Sequence, residues 1–232
     1  MSGERRGGRL FVRVKSAKGR KLSSTRWLQR HLNDPYVAEA KRRGYRSRAA
    51  LKLIEIDDKY RFLKPGKRVV DLGAAPGGWT QVAAQHVNAE GETGRAQGKV
   101  VALDIGDLDP IAGVTILKKD FLAADAPAAL KAALAGPADV VLSDMAPNTT
   151  GERQTDHLRI LTLCEAAHEF AREVLAPNGV FVTKMLQGAG DEAFQKALRA
   201  DFAAVKRVKP PASRSESAEV YIVATGFHAR TT

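Results

Sequence analysis

The residues best placed to do chemistry in this 232-residue chain are three acids that follow short apolar runs and one lysine that interrupts another. Asp104 ends the run from Val100, Asp120 follows Val114–Leu117, and Asp144 follows Val140–Leu142. If those runs are strands, the three carboxylates sit at the C-terminal ends of successive strands. That is where open α/β sheets bind their ligands. Singly, each acid also reads as an ordinary loop or helix-capping residue; as a set they describe one crevice. Lys184 continues Val180-Phe181-Val182-Thr183, where a buried unpaired charge would be costly, so it requires a partner or a task.

A ligand seat precedes these acids. Val69-Val70-Asp71-Leu72 is a β-branched and apolar run broken by one acid, and Gly73-Ala74-Ala75-Pro76-Gly77-Gly78 leads into a helical pattern at Trp79. A strand feeding a helix through small residues lets a ligand approach backbone and exposes unpaired N–H groups at the helix start. A dinucleotide fingerprint would read G-x-G-x-x-G. Here Ala75 stands at the second glycine and Pro76 stiffens the loop, and no phosphate-binding G-x-x-x-x-G-K-S/T occurs. The string resembles motif I of S-adenosylmethionine-dependent methyltransferases instead. That resemblance puts Gly73, Pro76, Gly77, Gly78 and Trp79 at the methionine part of the cofactor, Asp104 on the ribose hydroxyls, Asp120 on the adenine amino group and Asp144 at the reactive end.

Positive charge is concentrated at one end. The whole chain nets +11, yet residues 1–52 carry 16 Lys and Arg against Glu4, Asp34 and Glu39. That quarter nets +13 and the remainder −2, an asymmetry that suits a polyanionic partner, most simply nucleic acid. Residues 1–24 read as a basic tail, disordered in isolation, with a short strand conceivable at Leu10–Val14. Residues 25–232 read as one domain. No run spans a bilayer and no signal-peptide core follows the N-terminus, so a cytoplasmic protein without a membrane role is expected. The single cysteine, Cys164, excludes an intrachain disulfide and falls on the apolar stripe of a predicted helix. Five scattered histidines give no metal-ligand spacing, so no metal is expected.

The elements follow in order. Helices are expected from Ser24 or Thr25 to Leu32, from Pro35 to Arg43 and from Ser47 to Tyr60. They carry Arg26, Arg30, Lys41, Arg42, Arg43, Arg46, Arg48 and Lys52, with Trp27, Tyr36 and Tyr45 among them. Trp27 and Tyr36 read as pins to the core. Strands are expected at 68–72, 100–105, 114–117, from 140, at 180–185, 205–208 and 220–225, with helices at 79–87, 127–135, 156–175 and 191–200. Pro177-Asn178-Gly179 should end the long helix. The alternation predicts a seven-stranded, mostly parallel Rossmann-like sheet with helices on both faces and an antiparallel hairpin formed by the last two strands at one edge. There are no internal repeats.

Residues 23–228 resemble the FtsJ-like ribose 2′-O-methyltransferases. The resemblance rests on Ser47–Leu53 (SRAALKL), Val70–Trp79 (VDLGAAPGGW), Ser143–Asn148 (SDMAPN), Lys184 on its strand and Glu219–Gly226 (EVYIVATG). It implies a Lys-Asp-Lys-Glu catalytic set, carried here by Lys52, Asp144, Lys184 and Glu219, and S-adenosyl-L-methionine as cofactor. It also implies methylation of a uridine ribose in the A-loop of 23S rRNA, on free large-subunit rRNA or the assembled large ribosomal subunit. The reaction is an in-line attack of a ribose 2′-hydroxyl on a sulfonium methyl. A neutral hydroxyl is a weak nucleophile, so alignment and proton removal both matter. Lys184 either takes that proton, helped by the nearby cations Lys52 and the sulfonium, or guides a late, nearly direct proton loss.

Two features depart from the family pattern: a longer polar insertion at 88–98, and a Ser213–Ala218 loop in which Glu216 accompanies Arg214, so that little RNA contact is expected from it. Nothing requires more than a monomer. Competing readings are a methyltransferase of tRNA or the mRNA cap, a non-catalytic RNA-binding assembly factor, and a nicotinamide oxidoreductase.

Overall fold

The computed structural model describes residues 22–147, 150–187 and 191–228. The strand expected at Leu10–Val14, residues 1–21 of the basic tail and Asn148 lie outside them, as does the side chain of Trp27.

Three helices open the chain: α1 (Leu22–Leu32), α2 (Pro35–Arg42) and α3 (Ala49–Tyr60). Asp34 caps α2, its Oδ1 accepting the Tyr36 N–H at 3.0 Å while Pro35 takes the first turn. Arg61, at φ 52°, turns the chain out of α3. Strands and helices then alternate as β1 (Arg68–Leu72), α4 (Gly78–Val87), β2 (Lys99–Asp104), β3 (Val114–Lys118), α5 (Ala126–Leu134), β4 (Ala138–Ser143), α6 (Arg153–Val174), β5 (Leu175–Leu186), α7 (Glu192–Asp201), β6 (Phe202–Val208) and β7 (Glu219–Phe227).

The seven strands lie in the order β3-β2-β1-β4-β5-β7-β6. The first five are parallel, and β7 is antiparallel to both neighbours. The predicted hairpin therefore exists, with β6 outermost and β7 inside it. Several elements begin a few residues earlier than expected: α1 at Leu22, inside the stretch read as a disordered tail, α6 at Arg153, β5 at Leu175 and β6 at Phe202. The Pro177-Asn178-Gly179 turn lies within β5: the strand begins at Leu175, pairs there with Ala138, and shifts register before Val140 pairs with Val180. The long helix ends at Val174, as expected, but the turn after it is also an irregularity of the strand, with Asn178 supplying the φ of 64° that it needs.

Because side chains alternate along a strand, residue parity decides what each helix layer meets. Val70, Leu72, Phe181, Met185, Ile222 and Ala224 face α5, α6 and α7 in one core. Val69, Val140, Leu142, Val180, Val182, Tyr221 and Val223 face α3 and α4 in the other. The second parity set, extended by period two, takes in Asp71, Asp144, Lys184 and Glu219. Polar residues of four strands therefore fall on the one face that α3 covers with Lys52, and only at the C-terminal end of the parallel strands.

Candidate active site and adjoining groove

Register brings the site together. In the antiparallel β5–β7 ladder Lys184 lies opposite Tyr221 and Leu186 opposite Glu219. In the parallel β4–β5 ladder Ser143 lies beside Thr183, which leaves Asp144, one residue beyond β4, next to Lys184. Lys184 Nζ donates to the Asp144 backbone carbonyl at 2.7 Å and stands 3.2 Å from Asp144 Oδ1. Tyr221 OH donates to that same Oδ1 at 3.1 Å. Lys52 Nζ donates to Tyr221 OH at 3.1 Å and to Glu219 Oε2 at 3.0 Å. Lys52, Asp144, Lys184 and Glu219 are thus one network, and Tyr221 is the joint that connects its two halves.

Surrounding charge and burial act on two members of the network, Glu219 and Tyr221. Burial works against a charge on Glu219, but Lys52 and Lys184 outweigh it and hold the carboxyl below its ordinary range. Burial, then the charges of Asp144 and Glu219, push the Tyr221 hydroxyl well above its ordinary value, so it remains a donor. Behind the sheet, the Cys164 Sγ–H donates to the Lys184 carbonyl at 3.0 Å, and burial pushes the thiol up to about 11. Cys164 is a core residue on α6, as its place on the apolar stripe suggested.

Sequence reasoning missed Tyr221. It sits in an apolar strand at a core position, fully buried and 5.5 Å from the Trp79 ring, and reads as packing. The available signal was its parity with Glu219.

Two cavities meet this network. A cleft of about 390 Å³ is lined by Gly73, Ala75, Asp104, Asp120, Asp144 and Met145, among others. Gly73 has φ 76°, and a Cβ there would stand 2.7 Å from Met145. Asp104 is held by the Ala75 N–H at 2.9 Å and the Gly106 N–H at 2.7 Å, one on each carboxylate oxygen. Each oxygen keeps a second acceptor position, and Asp104 lines the cleft. Ile105 and Leu122, 70% and 58% exposed, also line this cleft and give a flat apolar ring two surfaces to lie against. Size, paired acceptors and apolar flanks suit a nucleoside.

The other glycine-loop residues have different neighbours. Pro76 lines the second cavity. Gly77, Gly78 and Trp79 do not line the cleft: Gly77 lies against Arg46 and Leu108, a Cβ on Gly78 would run into Ser47 Oγ, and the Trp79 indole donates to the Ala49 carbonyl at 2.8 Å. Their side-chain positions lock α4 onto the start of α3 and so place Lys52.

The second cavity is a groove of about 760 Å³ between the N-terminal helices and the loop before β7. Arg30, Lys41, Arg46, Arg48 and Arg214 line it, and Lys52 and Glu219 close its inner end. Arg214, Glu216 and Ser217 put the 213–218 loop, from which less RNA contact is expected, in the groove wall. Its chain folds back over α3 because Ala212 is fixed to that helix at both ends of its peptide. The Ala212 N–H donates to Glu55 Oε2 at 2.7 Å, and the Arg48 guanidinium donates to the Ala212 carbonyl. Tyr36 packs on the small cluster of Ala40, Leu51 and Ala212, the pin expected of it.

A nucleoside-sized cleft, strand-end carboxylates and a lysine network on a sheet of this order define a Rossmann-like methyltransferase. The chain belongs to the FtsJ-like methyltransferase family, whose model matches residues 45–227. It is 57% identical over 222 residues to the ribosomal RNA large subunit methyltransferase E of Roseobacter denitrificans, covering 95% of this chain and 92% of that protein. The protein of the same description from Paramagnetospirillum magneticum is 61% identical over 218 residues, covering 94% and 88%. Among solved structures, a candidate ribosomal RNA methyltransferase from Plasmodium falciparum is 30% identical with a TM-score of 0.71, covering 80% of this chain and all of that one.

Proposed function

We propose that this protein transfers a methyl group from S-adenosyl-L-methionine to the 2′-hydroxyl of a uridine ribose in 23S rRNA, in the A-loop of the large ribosomal subunit. One observation carries the chemistry. The network has one end in each cavity: Asp144 lines the nucleoside-sized cleft, and Lys52 and Glu219 line the basic groove. A donor in the cleft and a polyanion in the groove therefore meet at Lys184. The names of the close relatives supply the large-subunit target.

Asp104, Asp120 and Asp144, with Gly73 and Ala75, would hold the cofactor, which when bound supplies an electrophilic sulfonium methyl. The chain's own groups do the rest. Lys184, held at two points by Asp144, aligns the acceptor hydroxyl for in-line attack, and the hydroxyl's proton leaves to Lys184 or, late and directly, to water. Glu219 keeps Lys52 at the groove's inner end, where its ammonium meets the phosphate or hydroxyls of the target nucleotide. Tyr221 couples the two lysines so that neither shifts alone. Basic residues along the groove hold RNA backbone. The site needs no oligomer to be complete, and no helix among the described residues is long and apolar enough to cross a membrane. These features favour a monomer acting on ribosomal RNA or large subunits in the cytoplasm.

The test is methylation of large subunits from cells lacking the enzyme, with the modified nucleotide mapped by mass spectrometry. A single 2′-O-methyluridine in the A-loop is expected. A methyl group on a base, or only on tRNA, refutes the reading. Calorimetry should give binding of S-adenosylmethionine and none of NAD.

A further inference from the structure

Asp34 does more than cap α2. Its Oδ1 serves the cap, while Oδ2 receives the Arg48 guanidinium and both Nε and Nη2 of Arg214, at 3.4 and 3.3 Å. The carboxylate is almost buried, with 8% of its side chain exposed, and Arg48 lies over the Tyr36 ring at 5.5 Å. Arg48 and Arg214, with Arg30 and Glu216, line both the basic groove and a side cavity of about 570 Å³. Three cations there meet two anions, Asp34 and Glu216, so the shared wall keeps a net positive charge. Arg214 uses Nε and Nη2 on Asp34, and Arg48 Nε and Ser213 Oγ are buried without hydrogen-bond partners among the described residues. Arg214, with 28% of its side chain exposed, lines both cavities and presents its remaining N–H donors to an acceptor that arrives from outside.

The same contacts run to the reaction centre by two routes. Arg48 precedes Lys52 by four residues, one turn of α3. On the other side, the Arg214 carbonyl accepts the Ser217 N–H at 3.1 Å, and Ser217 Oγ accepts the Glu219 N–H at 3.2 Å. The Lys52–Glu219 pair closes the ring. Whatever sits on the arginine pair is therefore held at a fixed distance from the residues around the acceptor hydroxyl.

We propose that Asp34 is a positioning residue: it holds Arg48 and Arg214 as one receiver for a backbone phosphate of the acceptor RNA, in register with Lys52 and Glu219. Planar guanidinium groups aimed together suit a phosphate better than flexible ammonium groups do. The proposal rests on the RNA methyltransferase reading above. Glu216, which also lines the groove beside Arg214 and Arg30, limits the pair's net attraction and makes its geometry matter more than its charge.

Asp34→Asn separates the two roles, because asparagine keeps the capping oxygen and replaces the oxygen that the arginines use. It is measured with Arg214→Gln and the double variant on large subunits lacking the methyl group. For Asp34→Asn we expect KM for subunits to rise about tenfold and the salt slope of RNA binding to fall by about one phosphate. Cofactor affinity should stay within about twofold, since the cleft is untouched. Arg214→Gln should do the same, and the double variant should be no worse than either single one. If Asp34 only screens the arginines, its removal would tighten RNA binding; that result, an unchanged KM, or additive losses overturn the proposal. Wild-type enzyme that methylates no ribose in these subunits refutes the function reading instead. If Asp34→Asn misfolds, as judged by lost cofactor binding, the KM and salt slope of Arg214→Gln decide alone.

Discussion

Asp71 gives the sharpest physical test. It is fully buried on β1 beneath the Gly73 turn, with Thr80 Oγ1 donating to Oδ2 at 2.6 Å and Oδ1 without a partner. Burial first, with the charges of Asp144 and Asp104 adding to it against the Thr80 hydrogen bond, pushes the carboxyl from 3.8 up to about 7. The folded protein thus keeps a proton that the unfolded chain gives up from about pH 4. Between these values the native state binds more protons, so stability falls as pH rises, and above about pH 7 the penalty is complete. A displacement of that size corresponds to about 4 kcal/mol, of which about 3 kcal/mol develops between pH 5 and pH 8. Asp71→Asn has nearly the same shape, keeps an acceptor for Thr80, and has no proton to lose. Its stability relative to wild type should therefore rise with pH by about 3 kcal/mol across that window. Urea unfolding at both pH values, with unchanged slopes, measures it as a shift in midpoint. A difference independent of pH, or one that favours wild type as pH rises, would refute the assignment of a largely protonated carboxyl. A carboxyl that weakens the fold at neutral pH, two residues before Gly73 in the wall of the nucleoside-sized cleft, is local stability given up beside the candidate site.

The remaining expectations concern turnover. Lys184→Ala should leave S-adenosylmethionine affinity within about twofold and lower methyl transfer by about 100-fold or more; near-normal turnover would remove Lys184 from the mechanism. Tyr221→Phe keeps the ring that packs on Trp79 but removes the link between Lys52 and Asp144, so kcat should fall about 10- to 100-fold with little change in melting temperature. An equal loss of stability and activity would make the tyrosine a packing residue only. Removing residues 1–21, which spares α1, should weaken RNA affinity and flatten its salt dependence without altering cofactor affinity, as read by binding titrations at several salt concentrations.

How much was legible depended on whether a residue's role is local. The strand ends that carry Asp104 and Asp144 follow from β-branched runs, and the parallel sheet follows from the alternation of strands and helices. The helix end before Pro177-Asn178-Gly179 was legible, but the start of β5 at Leu175 was not, because a turn signal does not say whether the ladder on either side continues. Lys184 stood out because a charge in an apolar strand conflicts with its surroundings. Lys52 and Glu219 did not: one is a helix lysine among many, the other a single acid before a strand, and they were reached through resemblance. Their pairing at 3.0 Å spans 167 positions, and no periodicity within either segment encodes it.

Tyr221 shows what kind of information was missing. It obeys every local rule for a core strand residue, and its hydroxyl is satisfied by two groups that only the fold brings near. Given the antiparallel pairing of β5 with β7, however, its position is forced: Lys184 and Tyr221 are opposite one another, and period two sends both toward α3. The same logic explains the groove. The 213–218 loop carries one arginine and one glutamate and looks neutral in sequence. Ala212 is clamped to α3, so that arginine is aimed at Asp34 and Arg48 while the loop's end hands the chain to Glu219. Charge counting along the chain places the basic surface in the first 52 residues; the fold adds Arg214, more than 160 residues further on, to the wall of the same groove, beside the segment that leads to Glu219.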